Sequence, residues 1–244
     1  MAARLIVDMP RPGIWNMAVD EVLLESAADT GRITLRFYFW SEPTLSLGYF
    51  QRAGDRVLHP PSVHCPWVRR ATGGGAILHD RELTYSFVAP DRGVGGHQAL
   101  YDAFHETLVE LLAGRGILAT CQGETVTGGE TEPFLCFQRR SRGDVLLGGE
   151  KICGSAQRRH RGALLQHGSL LLRRSEYAPE LGGVEDGSGQ MIEVAGLRDE
   201  WMARLKRRLR LDWQEDELSA VESRRAECLQ YDKFDAEAWR ARRA

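Results

Sequence analysis

Apolar and polar positions along the chain follow two spacings, one typical of helices and the other typical of strands. Apolar residues recur three and four positions apart over 16–24, 97–114 and 197–209, which predicts helices that each bury one side. The first of them is interpreted as an ordinary packing helix, and a last helix is expected over 215–229. Shorter runs rich in β-branched and aromatic residues predict strands at 5–7, 35–40, 45–51, 82–88, 116–119, 145–147, 151–153 and 163–172.

Glycine and polar residues separate these runs. Stretches at 91–96 and 123–132 predict loops, and the glycines within 182–189 predict a flexible connector. With 244 residues and 43% hydrophobic content, we expect a single domain over 1–244 with a helical C-terminal segment at about 197–240. The chain has no run of eighteen apolar residues and no signal-peptide pattern, so we expect a cytoplasmic protein without a membrane partner.

One stretch stands out because it combines charge, glycine and strand formers. Two arginines, beginning at Arg69, lead into Gly73, Gly74 and Gly75 and then into an apolar run that ends at His79. Three glycines in a row are expected where the backbone needs positive φ or where something must approach it closely. The flanking residues predict a strand, a glycine-rich turn and a strand. Both a loose hairpin and a ligand-binding turn fit this pattern.

The cysteines argue against two kinds of site. There are five, they are scattered, and no two of them form a CxxC pair, so neither a disulfide framework nor a metal site is expected. Cys136 lies between two large apolar residues, which is usual for a buried, inert thiol. Cys153 is a second thiol in a strand-like run. From the residues alone, a reactive thiol and a core thiol both remain open for Cys136.

Charge is unevenly distributed, although the net charge is only −2. The segment 136–174 carries eight Arg and one Lys against one Asp and one Glu, a balance of +7, which favours an acidic partner. No nucleic-acid-binding motif accompanies it, so a small acidic carrier protein is favoured over nucleic acid. Lys151 is one of only three lysines beside 29 arginines, which suggests a site that needs a compact ammonium.

The segment 69–90 resembles the signature of the biotin/lipoate protein ligase superfamily. The spacing of Cys136, Ser141, Asp144 and Lys151 is similar to the pattern of its cysteine-dependent octanoyltransferase branch, and a Gly-Ser-Ala-Gln run follows the lysine at 154–157. The His-Gly-Ser-Leu-Leu run at 167–171, the helix over 16–24 and the tail at 231–239 also resemble the family. The resemblance covers nearly the whole chain.

This resemblance implies an α+β fold in which helices pack on a mixed sheet, as in the catalytic cores of class II synthetases. It implies transfer of an octanoyl group from acyl carrier protein to a lysine of a lipoyl domain or of glycine cleavage H protein. Cys136 would carry the acyl group and Lys151 would stabilise the charge that develops, without a cofactor. The implied substrate-binding residues are Arg69, Gly73, Gly74, Gly75, His79, Gly154, Ser155, Ala156, His167 and Gly168.

Other activities fit the same residues. A lipoate-protein ligase would need ATP and Mg²⁺, and Gly75 is closer to the ligase form of the motif. An amidotransferase that moves octanoyl or lipoyl groups between lipoyl domains would use the same Cys136 and Lys151. A scaffold that binds carrier proteins through its arginines would not depend on Cys136 or Lys151. For His167, a structural hydrogen bond and a direct chemical role both fit, and we expect a monomer.

Overall fold

The strand-like runs pair into one large sheet and one small sheet. The computed structural model describes residues 1–91, 96–125 and 132–242, so much of both predicted loops, 91–96 and 123–132, lies outside the described residues. The strands are β1 Ala2–Val7, β2 Thr34–Tyr38, β3 Thr44–Leu47, β4 Trp67–Arg69, β5 Ile77–His79, β6 Glu82–Pro90, β7 Ala119–Cys121, β8 Val145–Leu147, β9 Glu150–His160, β10 Ala163–Leu171 and β11 Asp212–Glu215. The α-helices are α1 Gly13–Thr30, α2 Gly96–Gly114, α3 Val184–Ser188, α4 Val194–Leu209, α5 Ala220–Leu229 and α6 Glu237–Arg240.

The large sheet has eight strands in the order β11-β1-β2-β6-β10-β9-β8-β7. The pairs β11-β1 and β1-β2 are parallel, and the pairs from β2 to β7 are antiparallel. The small sheet has the order β4-β3-β5, with β3 parallel to β4 and antiparallel to β5. The two strands around the glycine turn therefore both pair with β3, which excludes a simple hairpin.

Helices cover both faces of the large sheet. On one face, α2 and α4 pack Phe104 and Trp201 against Phe37, Tyr85 and their neighbours. On the other face, α1 and α5 contribute to a second cluster with Ala163 and Leu165 of β10. This is the predicted α+β arrangement of a mixed sheet with packed helices. Within the described residues, no helix is long and apolar enough to cross a membrane.

Polar side chains lie on one face of two fully buried central strands. Every residue of β10 is buried, and Ser169 and His167 are paired in register with Thr84 and Ser86 of β6. Residues paired across an antiparallel sheet point to the same side, and this side alternates along each strand. These four polar residues therefore form a patch on one face, within a sheet whose other positions are largely apolar.

Several boundaries differ from the sequence prediction. The strand expected over 151–153 extends over Glu150–His160, and the last helix, expected over 215–229, begins only at Ala220. The strand expected over 45–51 ends at Leu47, and the strand expected over 116–119 begins only at Ala119. The connector expected over 182–189 instead contains α3. A Cβ at Gly183 would lie 2.4 Å from the backbone carbon of Leu172, so this glycine permits close packing rather than flexibility.

The C-terminal segment is not purely helical. Within 197–240, β11 pairs in parallel with β1 and completes one edge of the large sheet. A turn of π-helix, Gln230–Phe234, follows α5, and it buries Phe234 in the cluster beneath α1. The segment is therefore built into the same sheet and core as the N-terminal residues.

Candidate active site

The polar patch of the large sheet opens into a cavity of about 280 Å³, called the inner cavity below. Strands β2, β6, β9 and β10 line one side, and β5, the glycine turn and Met17 of α1 line the other. Of the residues predicted to bind substrate, those that line it are Gly73, Gly74, His79, Gly154, Ser155, Ala156, His167 and Gly168. Cys136 and Lys151 also line this cavity.

Cys136 is held against the end of the glycine turn. It begins a single turn of 3-10 helix, Cys136–Gln138, and its backbone N–H donates to the carbonyl of Ala76 at 2.7 Å. The Ala76 N–H in turn donates to the carbonyl of Phe134 at 2.9 Å. The thiol is partly exposed, and its Sγ lies 4.0 Å from Nζ of Lys151. The structure thus brings together the two residues to which the resemblance assigns the chemistry.

Lys151 forms a buried ion pair with Asp144. Their charged atoms are 2.8 Å apart, and the two side chains are 4% and 1% exposed. Asp144 also accepts hydrogen bonds from the Tyr101 hydroxyl at 2.8 Å and from the Ser141 backbone N–H at 2.7 Å. The charge of Lys151 is therefore balanced, and the ammonium acts on Cys136 as a directed donor rather than as an excess charge.

Glycine at 154 makes room for this lysine. A Cβ there would lie 2.4 Å from Cε and 2.8 Å from Nζ of Lys151. Any side chain would push the ammonium away from both Asp144 and Cys136. Glycine is therefore needed at position 154 to leave room for the Lys151 side chain.

Arg70 fixes the shape of the glycine turn. Its guanidinium donates to the carbonyls of Gly73 and Gly75 at 3.0 and 2.9 Å. Burial lowers the pKa of Arg70 to about 10, so the side chain is still cationic at neutral pH. Gly74 has a φ of 93°, and a Cβ at Gly48 would lie 1.9 Å from its carbonyl oxygen. Glycine is therefore required at position 74 because of its positive φ, and at position 48 because its backbone lies so close to the turn.

Arg69 does not line the inner cavity. Its guanidinium donates to the carbonyls of Gly48 and Gln51 at 3.0 and 2.7 Å, and to that of Arg240 at 2.9 Å. It therefore supports the loop behind the turn, and Arg70 is the arginine that faces the cavity. Gly75 also lies outside the inner cavity, where a Cβ would be 3.0 Å from the Cys136 nitrogen.

His167 ties the turn to α1. Its Nε2 is 2.7 Å from the Thr72 hydroxyl, and its Nδ1 is 3.1 Å from a carboxylate oxygen of Asp20. Asp20 also pairs with Arg36 at 3.0 Å and accepts from the Tyr38 hydroxyl. Burial alone would raise the pKa of Asp20, but the hydrogen bond from His167 and the charge of Arg36 outweigh it and lower the pKa.

This contribution of α1 was not predicted from the sequence. Asn16 and Asp20 are four positions apart, so they share one side of the helix. Both are almost fully buried, which is unusual for polar side chains without partners. The signal in the sequence was a polar pair at helical spacing on a strongly apolar helix.

His79 lines the inner cavity as a hydrogen-bonded ring. Its Nδ1 lies 2.7 Å from the Glu82 carboxylate and its Nε2 lies 2.7 Å from the Ser46 hydroxyl. The ring stacks on Trp40 with centroids 3.8 Å apart. Burial lowers the pKa of His79 more than Glu82 raises it, so the ring is neutral at neutral pH. Since Nδ1 donates to the carboxylate, Nε2 accepts from Ser46.

Ser155 belongs to a second buried network. Its hydroxyl lies 2.6 Å from Nε2 of His105 and 2.6 Å from the Tyr85 hydroxyl, and Nδ1 of His105 lies 2.7 Å from the Gly143 carbonyl. Burial lowers the pKa of His105 to about 4, so the ring is neutral and Ser155 donates to it. A Cβ at Gly168 would lie 2.5 Å from the Ser155 hydroxyl, which explains the glycine.

Cys153 is separate from this chemistry. It is fully buried in the larger core cluster, and burial raises its pKa, so it stays a thiol at neutral pH. Among the described residues, no group of three or more His, Cys, Asp or Glu side chains could hold a metal ion.

Three curated sequences with similarity to this chain carry the same name. Octanoyltransferase LipM of Symbiobacterium thermophilum is 32% identical, with 98% of this chain and 98% of that protein covered. The protein of the same name from Carboxydothermus hydrogenoformans is 30% identical, with coverage of 93% and 94%. The one from Kyrpidia tusciae is 41% identical over a shorter stretch, 65% of this chain and 61% of that protein.

Solved structures confirm the fold. A putative lipoate protein ligase from Thermoplasma acidophilum with bound lipoic acid superposes with a TM-score of 0.80, at 23% identity and 99% coverage of both chains. A bipartite lipoate protein ligase of the same organism, studied with its E2 lipoyl domain, gives a TM-score of 0.75 at 22% identity, with 99% of this chain and 96% of that chain covered. The family model for the lipoyl protein ligase A/B catalytic domain matches residues 12–216. This match confirms the family resemblance that was based on residues 69–90 and 136–157. The chain belongs to the lipoyl protein ligase A/B catalytic domain family.

Proposed function

We propose that this chain is an octanoyltransferase that carries the octanoyl group as a thioester on Cys136. The relatives that cover almost the whole chain are named octanoyltransferases, which confirms the predicted activity, an acyl transfer. The observation that carries the route is the 4.0 Å approach of Lys151 to the Cys136 sulfur at the wall of the inner cavity. An octanoyl chain on Cys136 would extend into that cavity.

In the first step, the Cys136 thiolate attacks the carbonyl carbon of octanoyl-acyl carrier protein. A C–S bond to Cys136 forms, the C–S bond to the carrier breaks, and the carrier sulfur leaves as a thiolate that takes up a proton. One thioester replaces another, so the step is close to balanced in free energy and needs neither ATP nor Mg²⁺.

In the second step, the acceptor lysine of a lipoyl domain or of glycine cleavage H protein attacks the acyl-Cys136 thioester. A C–N bond forms, the C–S bond breaks, and the cysteine sulfur regains a proton from the amine. This step is downhill because an amide is more stable than a thioester. An acceptor of this kind agrees with the structural neighbour that was studied with its E2 lipoyl domain.

Lys151 assists both steps through its position. The carbonyl oxygen becomes negative when either nucleophile adds, and the ammonium donates to it from the side that also faces the cysteine sulfur. Removing one such donor costs roughly 10²–10³ in rate in other acyl-transfer enzymes. Asp144 holds the ammonium in place at 2.8 Å, so little reorganisation is required during the reaction.

The test is intact mass spectrometry after mixing the protein with octanoyl-acyl carrier protein, without ATP or Mg²⁺. Wild type and Cys153→Ser should gain one octanoyl group that hydroxylamine removes, and Cys136→Ser should gain none. Cys153→Ser is the matched control because that thiol is buried away from the cavity. An adduct that persists in Cys136→Ser would refute the proposed thioester.

The alternative activity is an ATP-dependent lipoate-protein ligase. Gly75, which is closer to the ligase form of the motif, favours it. In the same experiment, a ligase would form no adduct from the carrier thioester, yet would attach lipoate to H protein once ATP and Mg²⁺ are supplied. An amidotransferase would form the adduct from octanoyl-H protein rather than from the carrier.

A further inference from the structure

Cys136 lines two adjoining spaces in the protein, a cavity and a groove. These are the inner cavity and a groove of about 550 Å³, called the outer groove below. The two spaces share Gly74, Cys136 and Ser141 in their walls. If Cys136 carries an acyl group as a thioester, the acyl chain can therefore lie in one of these two spaces while the incoming or leaving thiol lies in the other.

The outer groove suits a polar chain. Its walls include Gln138, Thr125 and Ser141 together with Arg139 and Arg140, and none of the wall residues that the structure describes has a large apolar side chain. Amides and hydroxyls of a ligand would find hydrogen-bonding partners among these side chains. The volume is within the usual range for small-molecule sites, roughly 300–1,000 Å³.

The two arginines of the groove differ in what they contact. Arg139 is committed, since its Nε donates to the Pro133 carbonyl at 2.7 Å and another guanidinium nitrogen donates to Glu132 at 2.5 Å. Arg140 is exposed, and it has no ion-pair partner within residues 1–91, 96–125 and 132–242. Among its described residues, the groove thus offers one guanidinium without an ion-pair partner, and a guanidinium matches the bidentate geometry of a phosphate.

We infer that the outer groove binds the 4′-phosphopantetheine arm of the donor thioester, with Arg140 pairing with its phosphate. The inference rests on the proposed function, because it assumes that a thioester is the donor. The arm is a chain of two amides and a hydroxyl between a thiol and a phosphate. Its thiol end would lie at Cys136 and its phosphate end at the mouth of the groove. The same arm occurs on acyl carrier protein and in coenzyme A.

The test compares small thioesters that differ only in the phosphate. Single-turnover acylation of Cys136 is followed by intact mass with octanoyl-phosphopantetheine and with octanoyl-pantetheine. Wild type should prefer the phosphorylated donor about tenfold in apparent second-order rate, as expected for a charge-assisted contact. Arg140→Ala should reduce this preference to nearly one. Arg207→Ala, at an exposed arginine of α4, should keep it.

Each outcome separates the inference from the proposed function. A wild type without preference, or an Arg140→Ala protein that keeps it, overturns the role of Arg140 although Cys136 is still acylated. Failure of every thioester to acylate Cys136 overturns the proposed function itself. Because the readout is a ratio within one protein, partial misfolding of a variant lowers both rates and does not imitate the result. Octanoyl-coenzyme A and octanoyl-acyl carrier protein then show which source of the arm is preferred.

Discussion

At the scale of single residues, the site depends on a lysine that contacts a sulfur and a carboxylate at once. The ammonium of Lys151 is 2.8 Å from Asp144 and 4.0 Å from Cys136. Lys151→Met keeps the length of the side chain but removes the donor. We expect octanoyl transfer in single-turnover assays to fall roughly 10²–10³-fold.

A matched lysine provides the control for this prediction. Lys206→Met removes an ammonium that is 53% exposed and pairs with Asp212 on the surface, and it should leave the rate unchanged. Circular dichroism and a denaturant melt show whether Lys151→Met is folded, which matters because it leaves Asp144 without its cation. A folded Lys151→Met protein that transfers octanoyl within threefold of wild type would contradict the assigned role.

At the scale of elements, α1 lies on the same face of the large sheet as the polar patch and supports the glycine turn through His167. Asp20 connects Arg36 and His167, and His167 reaches Thr72 just before the turn. Asp20→Asn removes the charge from this network and leaves Arg36 with the Asp8 carboxylate as its one ion-pair partner among the described residues. We expect a loss of about 3 kcal/mol in the free energy of unfolding, as for other broken buried ion pairs, measured by urea denaturation.

The same helix carries a carboxylate for comparison. Glu25 pairs with Arg225, whose side chain is 50% exposed, so Glu25→Gln should cost less than about 1 kcal/mol. Equal losses in the two variants would show that Asp20 contributes no more than a surface pair. A larger loss in Asp20→Asn, together with slower acyl transfer, would support its role in holding the turn.

The sequence was most informative about the individual helices and strands. Apolar spacing predicted α1, α2 and α4 and the antiparallel strands β8, β9 and β10, because these depend on local pattern and on tight turns. The pairing of β4 and β5 with β3 rather than with each other was not predictable, since long-range register is not encoded locally. Arg69 and Arg70 are neighbours in an extended chain, so they point to opposite sides, and composition does not say which side faces the cavity.

At the scale of the whole molecule, the two ends of the chain complete one structure. Strand β11 extends the large sheet beside β1, and Trp239 donates from its indole nitrogen to the carbonyl of Arg69 at 3.0 Å. These two residues are 170 positions apart in the sequence. The helical spacing that predicted the C-terminal segment does not reveal such a long-range contact. Residues that place the glycine turn are therefore distributed over nearly the whole described chain, and global stability and activity should respond to the same conditions.

The pH dependence of stability follows from the buried neutral histidines. His105 has a folded pKa of about 4, whereas a histidine in the unfolded chain takes up a proton near pH 6.5. The unfolded state therefore binds more protons between these values, and stability falls as the pH decreases from 6.5 towards 4. From pH 6.5 to pH 5, His105 alone should account for about 2 kcal/mol of this loss.

His105→Gln should weaken this dependence, because glutamine does not titrate. Urea denaturation at pH 7 and pH 5 should show a smaller difference in unfolding free energy for the variant than for wild type, even if the variant is less stable at pH 7. His64→Gln, at an exposed histidine, should retain the wild-type difference. If His105→Gln also shows the wild-type difference in unfolding free energy between pH 7 and pH 5, protonation of His105 does not cause the loss of stability. The pH sensitivity would then have to arise elsewhere, with the low folded pKa of His79 as the next group to test.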